Sequence, residues 1–196
     1  MDMLEFIKSR RSTRKYLAKP VEPEKLNQIV EAGCYAPSGK NNQSWHFVVM
    51  EDPAVLSQLA ELVQRILGSM TYDDTTYGSL VNAIRLARRG NYVFYYGAPA
   101  LIVVTNVRGY GNAMADSACA LENMMLMANA LDLGSCWINQ LHWLDENPEI
   151  RAFLARFGVT DEETICGALA VGYADTADGL PERTPLPRRE IRITHV

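Results

Sequence analysis

Three arginines and two hydroxyl side chains occupy five consecutive positions near the N-terminus, Arg10-Arg11-Ser12-Thr13-Arg14. A guanidinium group can give two parallel hydrogen bonds to the oxygens of one phosphate, so arginine suits phosphate better than a point charge does. This segment therefore predicts an anion site, and a phosphate monoester is the best-fitting ligand. The alternative is a solvated basic turn after a short helix, because short basic runs occur often by chance.

A second polar segment, residues 36–45, is dense in turn-forming and amide side chains and leads directly into the apolar run 46–50. Each Asn or Gln amide offers a donor beside an acceptor, which matches the polar edge of a flavin or of a base. The loop is therefore a candidate for ring recognition. Alternatively, Asn41 and Gln43 only hydrogen-bond within their own turn.

The elements that must position these segments follow from apolar spacing and turn residues. Helices are predicted over residues 2–9, 23–33, 53–68, 80–87, 113–131 and 147–158. Strands are predicted over residues 46–50, 101–105 and 165–173, with a short strand near Cys136. The continuous apolar run 101–105 is typical of a central strand that is covered on both faces. Helix 113–131 is apolar on nearly all sides, which predicts burial and a part at a subunit interface.

Composition limits the kind of protein. The chain has 196 residues, 48% of them hydrophobic, and a net charge of −4. These values predict one ordinary globular domain, residues 1–196, and a basic cluster on an acidic background favours a local ligand site over a nucleic-acid or membrane surface. The four cysteines have no metal-site or dithiol spacing, and no run of about 20 apolar residues occurs. We therefore expect a cytoplasmic protein with reduced thiols, no metal and no membrane anchor.

Two other patterns leave alternatives open. Five of the nine tyrosines fall between residues 72 and 96, so their rings either cover a ligand surface or pack a small core. Gly109-Tyr110-Gly111 lies between a predicted strand and a predicted helix and comes close to a dinucleotide-binding fingerprint. Met114 stands in the place of the third glycine, which argues against that interpretation.

Three segments together resemble the FMN-dependent nitroreductase family: residues 10–14, residues 36–47 and residues 132–140. In that family the first segment holds the phosphate and ribityl chain of FMN, and the second reaches the same flavin from the other subunit of a homodimer. The third lies along the flavin ring, which places the backbone amides of Asn139 and Gln140 near the N5 and O4 positions. Many relatives have glycine in place of Gln140. A late arginine, Arg183, returns to the phosphate, but Pro181 replaces a lysine found in some relatives.

The resemblance thus implies a cofactor site and a lid over it. The implied cofactor-binding residues are Arg10, Arg11, Ser12, Arg14, Pro37, Ser38, Gly39, Asn41, Gln43, Trp137, Ile138, Asn139, Gln140 and Arg183. The implied lid spans about residues 68–97, with Tyr92, Phe94 and Tyr95 as substrate-facing rings. Some relatives have a flavin-contacting asparagine where this chain has Tyr95, so that contact is not expected here.

The implied fold is α+β, with a central, mostly antiparallel sheet flanked by helices, in an interlocked homodimer with FMN at the interface. The tail, about residues 180–196, is expected to be extended, and residues 191–196 could add an edge strand to the partner's sheet. The implied reaction is ping-pong: NAD(P)H gives hydride to the flavin, and a nitroaromatic, quinone or flavin acceptor takes the electrons. No catalytic side chain is expected, because the flavin carries the chemistry.

Rival functions remain. A flavoenzyme of the same fold could fragment flavin, remove halogen or oxidise a heterocycle. A redox-sensing protein could bind FMN with little turnover, and a basic nucleic-acid binder is disfavoured by the acidic background.

Overall fold

The computed structural model describes residues 2–196. Its helices are α1 Met3–Ser9, α2 Pro23–Cys34, α3 Pro53–Ser69, α4 Gly78–Arg88, α5 Ala113–Ala130, α6 Gln140–Trp143 and α7 Pro148–Ala155. Its strands are β1 His46–Met50, β2 Ala100–Val107, β3 Gly134–Ile138 and β4 Glu163–Gly172. The predicted helices and strands are confirmed within a few residues of their expected ends. Helix α6 and a short 3-10 turn at Gly39–Asn41 were not predicted.

Helix starts follow from side chains that satisfy free backbone N–H groups. The Asp52 carboxylate accepts a hydrogen bond from the N–H of Ala54 at 2.8 Å, and Pro53 fits the first turn because its missing N–H is not needed there. Asn147 and Pro148 start α7 in the same way.

The sheet has the order β1-β2-β4-β3, and every neighbouring pair is antiparallel. Strands β2 and β4 lie in the centre, with Ile102 opposite Leu169. The prediction of an α+β fold with a mostly antiparallel sheet is confirmed. Because β3 is an edge strand, its outer side is free to pair with another segment.

Alternating side chains give the sheet two buried faces. On β4, Ala168 and Ala170 face the cluster formed with α3, α4 and α7, whereas Leu169 and Val171 face the cluster formed with α2 and α5. Helix α5 is buried along most of its length, although Met114 remains 39% exposed.

Residues 180–196 form no helix or strand within the described chain, and Ile191 and Ile193 are exposed. Whether this tail joins a partner's sheet stays a prediction.

The Glu163 side chain connects three strands at one end of the sheet, where β1 begins, β2 ends and β4 begins. Its carboxylate accepts hydrogen bonds from the Thr105 hydroxyl and the Thr160 N–H, and it lies 2.8 Å from His46 Nδ1. Burial alone would raise the pKa of Glu163. The hydrogen bonds from Thr105, Thr160 and His46 outweigh burial and hold this pKa below its usual value.

This depressed pKa predicts loss of stability in acid. A carboxyl whose pKa is lower in the folded chain stabilises the fold at neutral pH, and that contribution disappears as the pH falls through the folded pKa. We expect Glu163→Gln to lower the free energy of unfolding at pH 7 and to flatten its decline between about pH 5 and pH 3. Urea titrations of both proteins across this range measure the two slopes, and equal slopes would contradict the assignment.

None of the helices within residues 2–196 combines the length and apolar character needed to cross a bilayer.

Candidate cofactor site

The arginine-rich segment runs along the free edge of the sheet. Ser12 pairs in parallel with Ser135 of β3, and the Thr13 N–H donates to the Ser135 carbonyl at 2.9 Å. Further along, the Leu17 N–H donates to the Tyr173 carbonyl at 2.9 Å, just beyond β4. Backbone hydrogen bonds therefore fix residues 12–17 against β3 and the end of β4, so the neighbouring arginines have a defined place.

Two close contacts bring this segment against the sheet. A methyl group on Gly134 would lie 2.6 Å from the Thr13 hydroxyl oxygen, so only glycine allows the approach. The Tyr16 hydroxyl donates to the Thr13 carbonyl at 2.8 Å, and burial raises the pKa of Tyr16 far above its usual range. Tyr16 is therefore a neutral structural group.

A polar pocket of about 170 Å³ opens beside the segment. It is lined by Lys8, Arg10, Arg11, Ser12, Arg14, Leu186 and Arg188, which we call the cradle. Five of these side chains are cations and none is acidic. Outside the lining, Glu5 pairs with Lys8 at 2.6 Å, Glu122 lies 4.0 Å from Arg10 Nε and Glu182 lies 3.9 Å from Arg11. The cradle therefore has a net positive charge and suits a dianion.

The sequence singled out neither Lys8 nor Arg188 as a cradle residue. Arg188 belongs to a basic pair, residues 188–189, in the proline-rich tail. A proline-rich tail has no periodicity that fixes its path, so its return to the cradle could not be inferred from spacing.

Arg183 was expected at the cofactor phosphate, but the structure places it beside the cradle and not in its lining. Its guanidinium donates to the backbone carbonyl of Asn129 and to the Asp132 carboxylate, the latter at 2.7 Å. Asn129 in turn donates to the Ser9 hydroxyl at 2.9 Å. In this conformation Arg183 holds the tail to the end of α5, because its Nε and Nη2 groups donate to Asn129 and Asp132.

The other end of β3 carries the predicted ring-binding residues. Asn139 precedes α6 and Gln140 is its first residue, positions whose N–H groups have no acceptor inside the helix. The Trp137 indole N–H donates to the Asn139 side-chain oxygen at 2.6 Å, which fixes that side chain, and Ile138 is buried beneath. Asn139 lies four residues beyond Ser135, or about 13 Å along the strand. Cradle and amides thus share one edge of the sheet.

Cys136 lies between these two ends. It is buried, and burial raises the pKa of its thiol, although Arg14 and the Ser12 hydroxyl act in the opposite direction. Such a thiol is protonated near neutral pH and acts as a small apolar group.

The lid prediction needs correction for two of its three rings. Phe94 is completely buried and Tyr95 is 8% exposed, and the two pack edge to face at 5.3 Å in the core. The backbone is left-handed at Asn91 and Tyr96, on either side of this pair, and between these turns Phe94 and Tyr95 point inward whereas Val93 is 40% exposed. Sequence spacing does not reveal such turns, so both rings were assigned to the wrong surface.

Two tyrosines of this segment do face the candidate site. Tyr92 is half-buried, and its hydroxyl accepts a hydrogen bond from the Gln140 amide at 2.6 Å. The ring of Tyr96, which was not predicted as a site residue, lies 5.9 Å from the Arg14 guanidinium. The segment is therefore connected to both ends of the β3 edge.

The amide-rich loop lies at the opposite corner of the sheet. It precedes β1, the other edge strand, and His46 at the start of β1 pairs with Thr105 near the end of β2. The loop is separated from the cradle by three inter-strand spacings, about 14 Å, across the sheet and by most of a strand length along it. The side chains of Asn41 and Gln43 are exposed. Pro37 is also exposed, and Ser38 and Gly39 are partly covered. Within one protomer, the loop and the cradle do not come together.

Among residues 2–196, no cluster of three or more histidine, cysteine or acidic side chains could hold a metal ion.

Comparison with known proteins identifies the family. The sequence profile of the Nitroreductase family matches residues 7–173. The Escherichia coli K12 protein YdjA, whose name includes "NAD(P)H nitroreductase", is 31% identical over 197 residues that cover 94% of this chain and 97% of its own.

Two solved structures share the fold. A nitroreductase with bound FMN from Bacteroides fragilis has a TM-score of 0.83 and 36% identity, covering 100% of both chains. A nitroreductase with bound FMN from Desulfitobacterium hafniense has a TM-score of 0.82 and 25% identity, covering 100% of this chain and 99% of its own. The match spans the cradle segment, the amide-rich loop and the β3 edge alike, and the chain belongs to the nitroreductase family.

Proposed function

We propose that this chain binds FMN along the β3 edge and acts as an NAD(P)H-dependent oxidoreductase. The proposal rests mainly on what lies at the two ends of β3. The cationic cradle lies at its start, and the free backbone amides of Asn139 and Gln140 lie about 13 Å away at its end. A phosphate ester joined by a flexible chain to a flat polar ring matches both ends. Relatives of the same fold bind FMN, which supports this choice of ligand.

The residues of the chain would divide the work as follows. Arg10, Arg11 and Arg14 supply guanidinium donors for the phosphate, and the Ser12 hydroxyl adds a further donor. The N–H groups of Asn139 and Gln140 supply fixed dipoles for the ring edge, where charge develops during reduction. Bound FMN would supply hydride acceptance from NAD(P)H and delivery of electrons to an acceptor. No catalytic side chain is assigned.

We also propose that the active form is a homodimer in which the loop 37–43 of one subunit completes the site of the other. The diagonal separation of loop and cradle supports this assembly, because one protomer cannot bring them together. An apolar groove between α1, α2 and α5 supports it further, with Met3 71% and Tyr35 81% exposed. Exposed apolar surface of this kind marks interaction sites in soluble proteins.

The proposed acceptors are nitroaromatics, quinones or free flavin, reduced by a ping-pong mechanism. The proposed compartment is the cytoplasm, since NAD(P)H is available there and all four cysteines are free thiols.

The first test is reductive. Purified protein mixed with FMN and NADH or NADPH without air is expected to lose the oxidised-flavin absorbance within seconds and to recover it when a quinone is added. Loss without recovery would contradict the proposed acceptors. A persistent oxidised spectrum would favour a binding or sensing protein. Failure to bind FMN at all would overturn the function.

A further inference from the structure

The loop 37–43 has a backbone conformation that is unfavourable for the residue types it contains. Lys40, Asn41 and Gln43 have φ values of 55°, 56° and 47°, all in the left-handed region that non-glycine residues avoid. Each such residue costs about 1 kcal/mol or more, so the surrounding structure must hold the loop in place. Inside the loop, only the Ser38 hydroxyl and two backbone turns contribute, with the Gln43 N–H donating to Ser38 Oγ at 3.0 Å.

The first external anchor is a buried carboxylate. Asp116, in the first turn of α5, is 6% exposed, and both of its oxygens accept from the Gly39 N–H at 3.2 Å. The Tyr110 hydroxyl lies 3.0 Å from Asp116 Oδ2 and 3.3 Å from the Gly39 carbonyl. It has one hydrogen to donate, and both neighbours are acceptors. The Asp116 carboxylate thus holds the Gly39 N–H, and the Tyr110 hydroxyl donates either to this carboxylate or to the Gly39 carbonyl.

Space at this point is fully used. A methyl group on Gly39 would lie 2.6 Å from the Tyr110 hydroxyl oxygen and 2.4 Å from the Asn112 amide nitrogen. The Gly109-Tyr110-Gly111 turn, in which Gly109 is left-handed with φ of 78°, places Tyr110 against the loop. This turn is the segment whose sequence resembles a dinucleotide-binding fingerprint, but in this fold it positions Tyr110.

A second anchor holds the other end of the loop. The Ser44 hydroxyl donates to the Asn106 side-chain oxygen at 2.8 Å, and Asn106 is completely buried. The Asn106 amide donates in turn to the Ala113 carbonyl and to Ser117, both at 3.3 Å. The loop is therefore attached near both ends to β2, to α5 and to the connection between them, while its amide side chains stay exposed.

From these contacts we infer that Tyr110 and Asp116 are positioning residues for cofactor binding: they fix the loop of one subunit in the shape that meets the flavin of the other. The inference rests on the proposed function. It assigns to the Gly109–Gly111 turn and to the first turn of α5 a role in cofactor affinity, although neither Tyr110 nor Asp116 belongs to the cradle lining of the same protomer. They act through the Gly39 peptide, so their loss should change the flavin environment without touching the phosphate-binding arginines.

The test compares Tyr110→Phe, Asp116→Asn and the double variant with the wild-type holoprotein. One hydrogen bond of this kind changes an equilibrium by about threefold to tenfold. We expect the FMN dissociation constant to rise by about this factor in each single variant. Amide hydrogen exchange of residues 38–44 should become faster, and the visible circular dichroism of bound FMN should change. Because the two side chains act as one unit, the double variant should resemble the single variants and not the product of their effects.

The matched control is Tyr173→Phe. The Tyr173 hydroxyl also bridges to a carboxylate, donating to Glu22 at 2.7 Å, but it lies far from the loop. This variant should leave the flavin dichroism and the exchange of residues 38–44 unchanged.

The possible outcomes distinguish a failure of the proposed function from a failure of this inference alone. If wild-type protein does not bind FMN, the proposed function and this inference fall together, and the first measurement reveals it. If wild-type protein binds FMN and both single variants keep its affinity, dichroism and loop exchange, the inference alone is wrong. Should Tyr110→Phe fail to fold, Asp116→Asn decides, because asparagine has the same shape as aspartate.

Discussion

Replacing Arg14 by alanine is expected to raise the FMN dissociation constant by about 10- to 150-fold, because a hydrogen bond to a charged group contributes about 1.5–3 kcal/mol. Arg14 lines the cradle, and its guanidinium also lies 5.9 Å from the Tyr96 ring. Within the part of the chain that the structure describes, Arg14 forms no ion pair, so the fold should survive its loss. Flavin fluorescence titrations measure the affinity, and thermal unfolding of the cofactor-free protein checks the fold.

The control for this variant is Lys15→Ala. Lys15 is the neighbouring cation, but it lies outside the cradle lining, so its removal lowers the local charge without removing a proposed phosphate donor. We expect a clearly smaller change in affinity than for Arg14→Ala. Equal losses in the two variants would mean that general electrostatic attraction, and not a built site, holds the phosphate. A dialysed Arg14→Ala protein that stays yellow would contradict the assignment directly.

The second large effect concerns stability. Asp145 is 7% exposed, and its carboxylate accepts hydrogen bonds from Arg108, Arg151, Thr164 and the N–H of Ile165. Removing one partner of a buried ionic network leaves the other charges uncompensated and costs about 3–5 kcal/mol. We therefore expect Asp145→Ala to lower the free energy of unfolding by this amount, measured by urea titration of the cofactor-free protein.

Glu146→Ala is the matched control. Glu146 is the next residue and pairs with the same Arg108 at 2.6 Å, but its side chain is 84% exposed. Exposed ion pairs contribute little, because water and salt screen them. A loss of stability as large as that of Asp145→Ala would show that Arg108 itself, and not burial of Asp145, determines the effect.

The sequence was sufficient to predict the cradle and the amide-rich loop, because the functional side chains of each are adjacent in the sequence. Arg10 and Arg14 are close in the chain as well as in space, and β3 brings in Asn139 by a short, regular element. The continuous apolar run 101–105 also identified β2 as a strand covered on both faces. These features depend on local spacing, which the sequence contains.

Other features depend on tertiary structure. The inward turn of Phe94 and Tyr95 requires left-handed backbone at Asn91 and Tyr96, and neither residue type demands it. The position of Arg183 depends on Asn129 and Asp132, which lie at the far end of another helix. The role of Tyr110 became visible only when the fold brought its hydroxyl to the Gly39 peptide.

The cradle has walls from both ends of the chain, residues 8–14 and residues 186–188. During synthesis, the early arginines leave the ribosome long before Arg188 does, so the nascent protein can fold most of its sheet while this pocket is still open on one side. The complete cradle lining therefore exists only after the tail has been synthesised, and we expect full affinity for the phosphate only from that stage on. A proteolytic cut near residue 180 would leave the wall that Leu186 and Arg188 supply attached to the folded body through noncovalent contacts such as those of Arg183.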